Sequence, residues 1–242
     1  MLLIMREVRF LLTALAFTML SVTTLVAQSG IYESYVIMND GANNVYYDLN
    51  VDTANPNFDG FNFGTLECSR TYELVGGQNK IFKCGDHDII NGTLFYRIWL
   101  QSATPPATFN AINIDFNTDD GPAACSGINQ IWESNGTNSV SLTNLPLGDY
   151  FLELYTQAEY TSVTDGNGTH FISNFGANFT ASFSVADTTA PDPAVLSDIT
   201  GECSATATAP TTTDNCSGSI TGTTSDPLSY NTQGSYVINW TF

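Results

Sequence analysis

After the first 27 residues, apolar and polar positions alternate in short runs. The segments SYVIM, NVYYDL, TYELV, KIFKC, TLFYRIWL, FNAINIDF, GDYFLELYT and NFTASFSV each step between two faces, the periodicity of a β-strand. Asn-, Asp- and Gly-rich turns separate them, and no long stretch keeps the helical period. The pattern predicts an all-β fold, a sandwich over residues 28–186.

One phrase sharpens this expectation. In LTNLPLGDYFLELYT a Leu-x-x-Leu run meets a Gly-Asp turn, and Tyr150 then opens an alternating strand. At the corner of many immunoglobulin-like sandwiches a tyrosine in this place ties its hydroxyl to nearby backbone. Tyr150 is the candidate for that role, with a plain core tyrosine as the alternative.

Two of the predicted strands divide their residues by chemistry. In TLFYRIWL, Leu94, Tyr96, Ile98 and Leu100 share one face and Phe95, Arg97 and Trp99 the other. In DYFLELYT, Tyr150, Leu152 and Leu154 oppose Phe151, Glu153 and Tyr155. If the aliphatic sides face the core, the two strands present aromatic rings and one charge each outward. Phe95, Arg97, Trp99, Phe151, Glu153 and Tyr155 are therefore the candidate ligand face, where rings stack on sugars and the charged pair bonds hydroxyls. The competing expectation is that a loop or a neighbouring module covers the rings.

The character of the chain changes after ADTTAPDPAV, which reads as an extended linker. In CSATATA the inward positions from Cys203 onward are filled by Ala205, Ala207 and Ala209, which bury little at about 25 cal/mol per Å². So thin a core calls for a covalent staple. A Cys203–Cys216 disulfide would close a loop of about 14 residues and contribute about 3 kcal/mol in the chain-entropy picture. Such a bond persists only outside a reducing cytoplasm. The last run, SYVINWTF, alternates Tyr236, Ile238, Trp240 and Phe242 against Val237, Asn239 and Thr241 and predicts a strand. It leaves a bare apolar edge, so the sequence is expected to be a piece of a longer polypeptide.

These last motifs, DTTAPDP, then GECSATATAPTTTDNCSGSITG, then TQGSYVINWTF, resemble the hyalin-repeat (HYR-like) modules of secreted bacterial surface proteins. Asp187, Thr188, Thr189, Cys203, Pro210, Asp214, Asn215, Cys216, Gly234, Tyr236 and Trp240 fall on that pattern. The resemblance covers residues 187–242 and implies a second, incomplete immunoglobulin-like module, usually one of a tandem array with further repeats of the same polypeptide. It implies roles in adhesion or as a spacer, with a glycan or protein of the cell surface or extracellular matrix as partner. The alternative is a carbohydrate-binding module that targets a missing catalytic or transport partner.

The other end of the chain and the charge agree on a compartment. Residues 1–27 begin with Arg6 and Arg9, continue with an apolar stretch from Phe10 to Ala27 and end in a small residue, which predicts a cleaved signal peptide. No later segment is apolar enough to span a membrane, so the mature chain is expected to be secreted or held at the cell surface. Against 24 acidic residues stand 6 basic ones, two of them in the leader, for a formal charge of −18 overall. Such a surface repels phosphate backbones and makes nucleic acid a poor partner. The 12% aromatic content argues against disorder.

Candidate chemistry is sparse. In DFNTDDG, Asp115, Asn117 and Asp119 have the alternate spacing of a calcium loop, but Asp120 stands where glycine is required and Ser126 where a bidentate Glu belongs. Calcium is the one ion these loops could hold, and no other cofactor is expected. CGDHD sets His87 between Asp86 and Asp88, too few ligands for zinc, and Cys84 is read as a disulfide partner of Cys68 or Cys125. Three cysteines in one block leave one over, expected to be Cys125 in its acidic loop. No Gly-x-Ser-x-Gly elbow is present and neither histidine, His87 or His170, has a recognisable catalytic context, so the chain is not expected to be an enzyme.

Overall fold

The computed structural model describes residues 28–50 and 54–242, and the predicted leader lies outside them. Eleven strands precede residue 187: β1 (Ser29–Asn39), β2 (Asn44–Asp48), β3 (Asn62–Glu67), β4 (Glu73–Lys83), β5 (Asp88–Leu100), β6 (Asn110–Pro122), β7 (Ile128–Glu133), β8 (Val140–Ser141), β9 (Gly148–Thr161), β10 (Gly168–Ile172) and β11 (Phe179–Ala186). They pair in the order β2-β1-β4-β7-β6-β5-β9-β11-β3, with β8 on β4 and β10 on β9. β6 belongs to two layers. Its first half, Asn110–Ile114, pairs with β5, and its second half, from Asp115 onward, pairs with β7. A bulge after Phe116 bends the strand between the layers. The result is a sandwich-like all-β fold, antiparallel except where β3 runs parallel to β11.

The two-residue period decides what fills it. In β11, Phe179, Ala181, Phe183 and Val185 are buried, whereas Thr180, Ser182 and Ser184 are not. Val36, Met38, Leu74 and Ile81 of one layer share a core cluster with Leu94, Leu152, Leu154 and Phe183 of the other. Three buried polar side chains tie the layers together inside this apolar surround. Ser34 of β1 donates to Asn79 Oδ1 of β4 at 2.7 Å, and Thr156 of β9 donates to the same oxygen at 3.0 Å. The Asn79 amide in turn reaches the Gln157 carbonyl at 3.3 Å, so the network is satisfied where an orphan group would be costly.

The predicted corner forms. Tyr150 donates its hydroxyl to the Pro146 carbonyl at 2.8 Å, and its ring stacks on Phe183 with centroids 5.3 Å apart. TYELV and KIFKC, which read as two strands, fall on one, β4. Gly76 sits at φ +147°, and a Cβ there would lie 2.1 Å from Ser134 Oγ. The glycine therefore marks a close crossing of β4 with the segment after β7, not a turn.

Residues 187–242 form two small ladders, β12 (Ala205–Thr206) with β15 (Ser229–Tyr230) and β13 (Thr211–Asp214) with β14 (Gly218–Thr221). Two sequence expectations are corrected here. CSATATA pairs at Ala205–Thr206, with one further bond from the Ala207 N–H to the Leu228 carbonyl at 2.8 Å, and SYVINWTF is not a regular strand, its ladder contact being the Thr241–Thr223 bridge. Both lack an edge of matching length among the described residues. The thin interior itself is real, because the buried residues of this segment are Thr212 and Asp214, while Val195 and Val237 are 93% and 75% exposed.

The expected cysteine pairing is corrected as well. Cys216 bonds to Cys68, not to Cys203, with Cα atoms 5.7 Å apart, and Cys84 bonds to Cys125, with Cα atoms 6.0 Å apart. Cys203 is a free, exposed thiol, and Cys125 is not the odd one. Topology supplies the reasons. β7 lies beside β4 with Ile128 opposite Lys83, which delivers Cys125 to Cys84. Cys68 follows β3, on the other layer, where β3 runs alongside β11 and meets the start of the linker. The Asp214 carboxylate accepts the N–H groups of Cys216 at 2.9 Å and Ser217 at 2.6 Å, and this tight turn presents Cys216 to Cys68. Glu67 completes the seam by accepting the Thr188 N–H at 3.2 Å and the Asn215 amide at 3.3 Å.

Candidate functional site

The six residues predicted for a ligand face do lie on one face, in three cross-strand pairs. Phe95 stands opposite Tyr155, Arg97 opposite Glu153 and Trp99 opposite Phe151, all between β5 and β9. Phe95 and Tyr155 stack with centroids 4.9 Å apart, and Trp99 and Phe151 meet tilted at 5.6 Å. The middle pair is spoken for. Arg97 donates from Nε and Nη2 to Glu153 Oε2 at 2.9 and 2.7 Å, and from Nη1 to the Pro106 carbonyl at 2.7 Å. Asn178 fills the other carboxylate oxygen at 2.6 Å.

The loop that carries Pro106 also lays Phe109 on this face. The Phe109 ring is 4.5 Å from the guanidinium and 5.2 Å from the Tyr155 ring. Arg97 thus lies between aromatic rings, a favourable place for a guanidinium. Glu153 is only 6% exposed, so the ion pair is a packing element rather than a set of free hydrogen-bonding groups. What remains open is the end with Trp99 and Phe151, both half-buried, beside the exposed Leu100 and Leu147. Phe175, in the turn before β11, is fully exposed at φ +56°.

Sequence reasoning passed over the chemically densest cluster. Both histidines of the chain converge on one hydroxyl: Ser29 Oγ is 2.8 Å from His87 Nδ1 and 2.8 Å from His170 Nε2. On its far side His87 Nε2 is 2.9 Å from Asp165 Oδ2. Tyr160 is stacked between the two imidazoles, each 4.7 Å from its ring. A Ser-His-Asp chain of this kind resembles a catalytic triad in its contacts alone. Ser29 is 2% exposed, and its hydroxyl is already shared by two rings. A nucleophile needs room for a carbonyl and donors for its oxyanion. The cluster is instead a clasp that joins the start of β1 to the β4–β5 turn and β10.

The clasp has a pH consequence. Burial, and after it the neighbouring His87, holds the His170 imidazole below its ordinary value of 6.5. The unfolded chain then binds the proton more readily than the folded one. Stability is complete above about pH 7 and is lost as pH falls through the unfolded value toward the lowered one. Urea midpoints measured at pH 7.5 and 5.0 are expected to fall with acidity, and His170→Gln is expected to shrink that difference. An undiminished difference in the variant would place the acid sensitivity elsewhere.

The calcium residues are placed differently from the expectation. Asp115, Asn117 and Asp119 lie in extended β6, not in a loop. Asp119 accepts the Gln130 amide at 3.1 Å, and Asp115 the Asn135 amide at 3.4 Å. Beside His87, Asp86 takes the Thr164 N–H at 2.8 Å, which chiefly holds its carboxyl below the usual range, and Asp88 pairs with Lys83 at 2.6 Å. Among the described residues, the one group of three or more His, Cys, Asp or Glu donors close enough to share an ion is Glu67, Cys68, Asp187 and Cys216. Its two sulfurs are bonded to each other, which removes them as ligands.

No helix among the described residues is long and apolar enough to cross a membrane. No protein-family model matches the chain, and no curated protein matches its sequence.

Proposed function

We propose that this protein is a non-catalytic extracellular module, an adhesin or spacer, with residues 187–242 as an HYR-like element. The observation that carries the reading is the Cys68–Cys216 bond, which spans 148 residues and fastens a segment without its own core to the sandwich. Two disulfides suit an oxidising compartment, and the predicted signal peptide suits export. A pull applied at the two ends would pass through the sulfurs and bypass the strands between them. A carbohydrate-binding role is the second reading, favoured by the open Trp99–Phe151 end of the outer face.

Single-molecule extension tests the mechanical reading. At about 3.4 Å per residue, the crosslink hides about 500 Å of contour length. Unfolding of the oxidised chain is expected to release that much less than unfolding in reductant. Equal contour gains in the two conditions would overturn the reading.

A further inference from the structure

A cleft of about 660 Å³ lies where the sandwich meets the start of the linker, away from the aromatic face of β5 and β9. One wall is the end of β3 with the turn after it, another is the turn after β1, and the third is the backbone around Thr188 and Thr189. This third wall is held in place by Glu67, whose carboxylate takes the Thr188 N–H, and by the neighbouring disulfide. The volume is that of small-molecule sites.

The lining has a definite chemistry. Phe63 and Tyr72 contribute rings fixed edge-to-face at 5.6 Å, with Phe63 further held against Tyr47 at 5.2 Å. Much of the remaining wall is hydroxyl, including Thr143 and Thr189. Arg70 supplies one positive charge, and Asp40 and Glu67 supply two negative ones. Four basic residues follow the leader. Lys80 pairs with Glu33, Lys83 with Asp88 and Arg97 with Glu153, whereas Arg70 makes no ion pair among the described residues. The Arg70 N–H to Glu67 carbonyl turn, at 3.0 Å, places Arg70 at the cleft, where its charge also attracts the Glu67 carboxylate without a close ion pair.

Asp40 is fixed just as firmly. Its Oδ1 accepts the N–H groups of Asn43 and Ala42 at 2.8 and 2.9 Å, which leaves Oδ2 without a hydrogen bond among the described residues. Those backbone donors, Asn43 first, hold the carboxyl below its usual range, so it remains an acceptor. A rigid carboxylate acceptor, an unpaired guanidinium donor, hydroxyls and ring faces are the groups that recognise a hydroxyl-rich body with an apolar side. The Glu67 carboxylate is engaged by Thr188 and Asn215, which leaves one open carboxylate beside one guanidinium, and the acidic surface repels anions further.

We propose that this cleft is a binding site for a neutral saccharide, held by Arg70 and Asp40 against Phe63 and Tyr72. The site is separate from the outer face, and the proposal does not depend on the adhesin reading. Isothermal titration of the oxidised protein with maltotriose, cellotriose, xylotriose, chitotriose and trigalacturonate tests it. Saturable binding of at least one neutral trisaccharide is expected, weakened about tenfold by Arg70→Ala, as for loss of one charged hydrogen bond. Asp40→Asn is expected to weaken it likewise. Because Arg70 is exposed and makes no ion pair, its variant is expected to keep the wild-type urea midpoint. Binding of trigalacturonate alone, binding of none of the five, or binding lost with Trp99→Ala but not with Arg70→Ala would each overturn the proposal. The last result would assign the sugar to the outer face.

Discussion

Arg97→Met is expected to lower the stability of the sandwich by about 3 kcal/mol, the cost of leaving one partner of a buried pair alone. Glu153 would keep the Asn178 amide but lose both bonds from the guanidinium, in a place that is only 6% exposed. The ring-to-cation contacts with Trp99 and Phe109 would go as well. Trp99→Ala at the half-open end is expected to cost clearly less, and the double change Arg97→Met with Glu153→Leu to recover much of the loss. Urea midpoints of the three variants are the measurement. A neutral Arg97→Met would mean that the pair is not a packing element, and its groups would then be free for a ligand.

The second large effect concerns the seam. In the chain-entropy picture a 148-residue crosslink contributes about 5 kcal/mol, more than any other single link in this molecule. Replacing Cys68 and Cys216 together by serine is expected to release residues 187–242 while the sandwich, with its own core, stays folded. Pairs such as Glu67 with Thr188 and Asn215 are exposed and replace little of it. Limited proteolysis reads the outcome. Cleavage in the exposed stretch around Val195 should leave the wild-type chain in one piece on a non-reducing gel. The double variant should shed a fragment from about that point onward. Equal protease resistance in both proteins would show that the segment holds itself in place.

How far the sequence anticipated this structure depends on how local each feature is. β5, β9 and β11 were legible because their apolar residues recur at every second position in sequence, and the candidate ligand face followed from the same periodicity. Tyr150 was legible because its partner, Pro146, is four residues away. β3 and β7 were not. Gly64 at φ +73° interrupts β3, and Gln130 of β7 is a buried polar residue that serves the Trp132 indole at 3.1 Å. Neither run shows clean alternation.

The site features that escaped the sequence are long-range. The Ser29 clasp joins positions 58 and 141 residues apart, and nothing near either histidine signals it. The cysteine pairing failed for a related reason. The composition around Cys203 and Cys216 correctly predicted a segment with little to bury, yet the nearest cysteine in sequence was not the nearest in space. The parallel β3–β11 pairing, which no local pattern announces, decides the partner.

The staple between sandwich and tail is therefore the claim to test first. Peptide mapping of the oxidised protein by mass spectrometry, without reduction and with free thiols alkylated beforehand, answers it directly. The structure predicts crosslinked peptides joining Cys68 to Cys216 and Cys84 to Cys125, with the alkyl group on Cys203. A Cys203–Cys216 peptide with the label on Cys68 would contradict it, and the last segment would then be stapled to itself rather than to the sandwich.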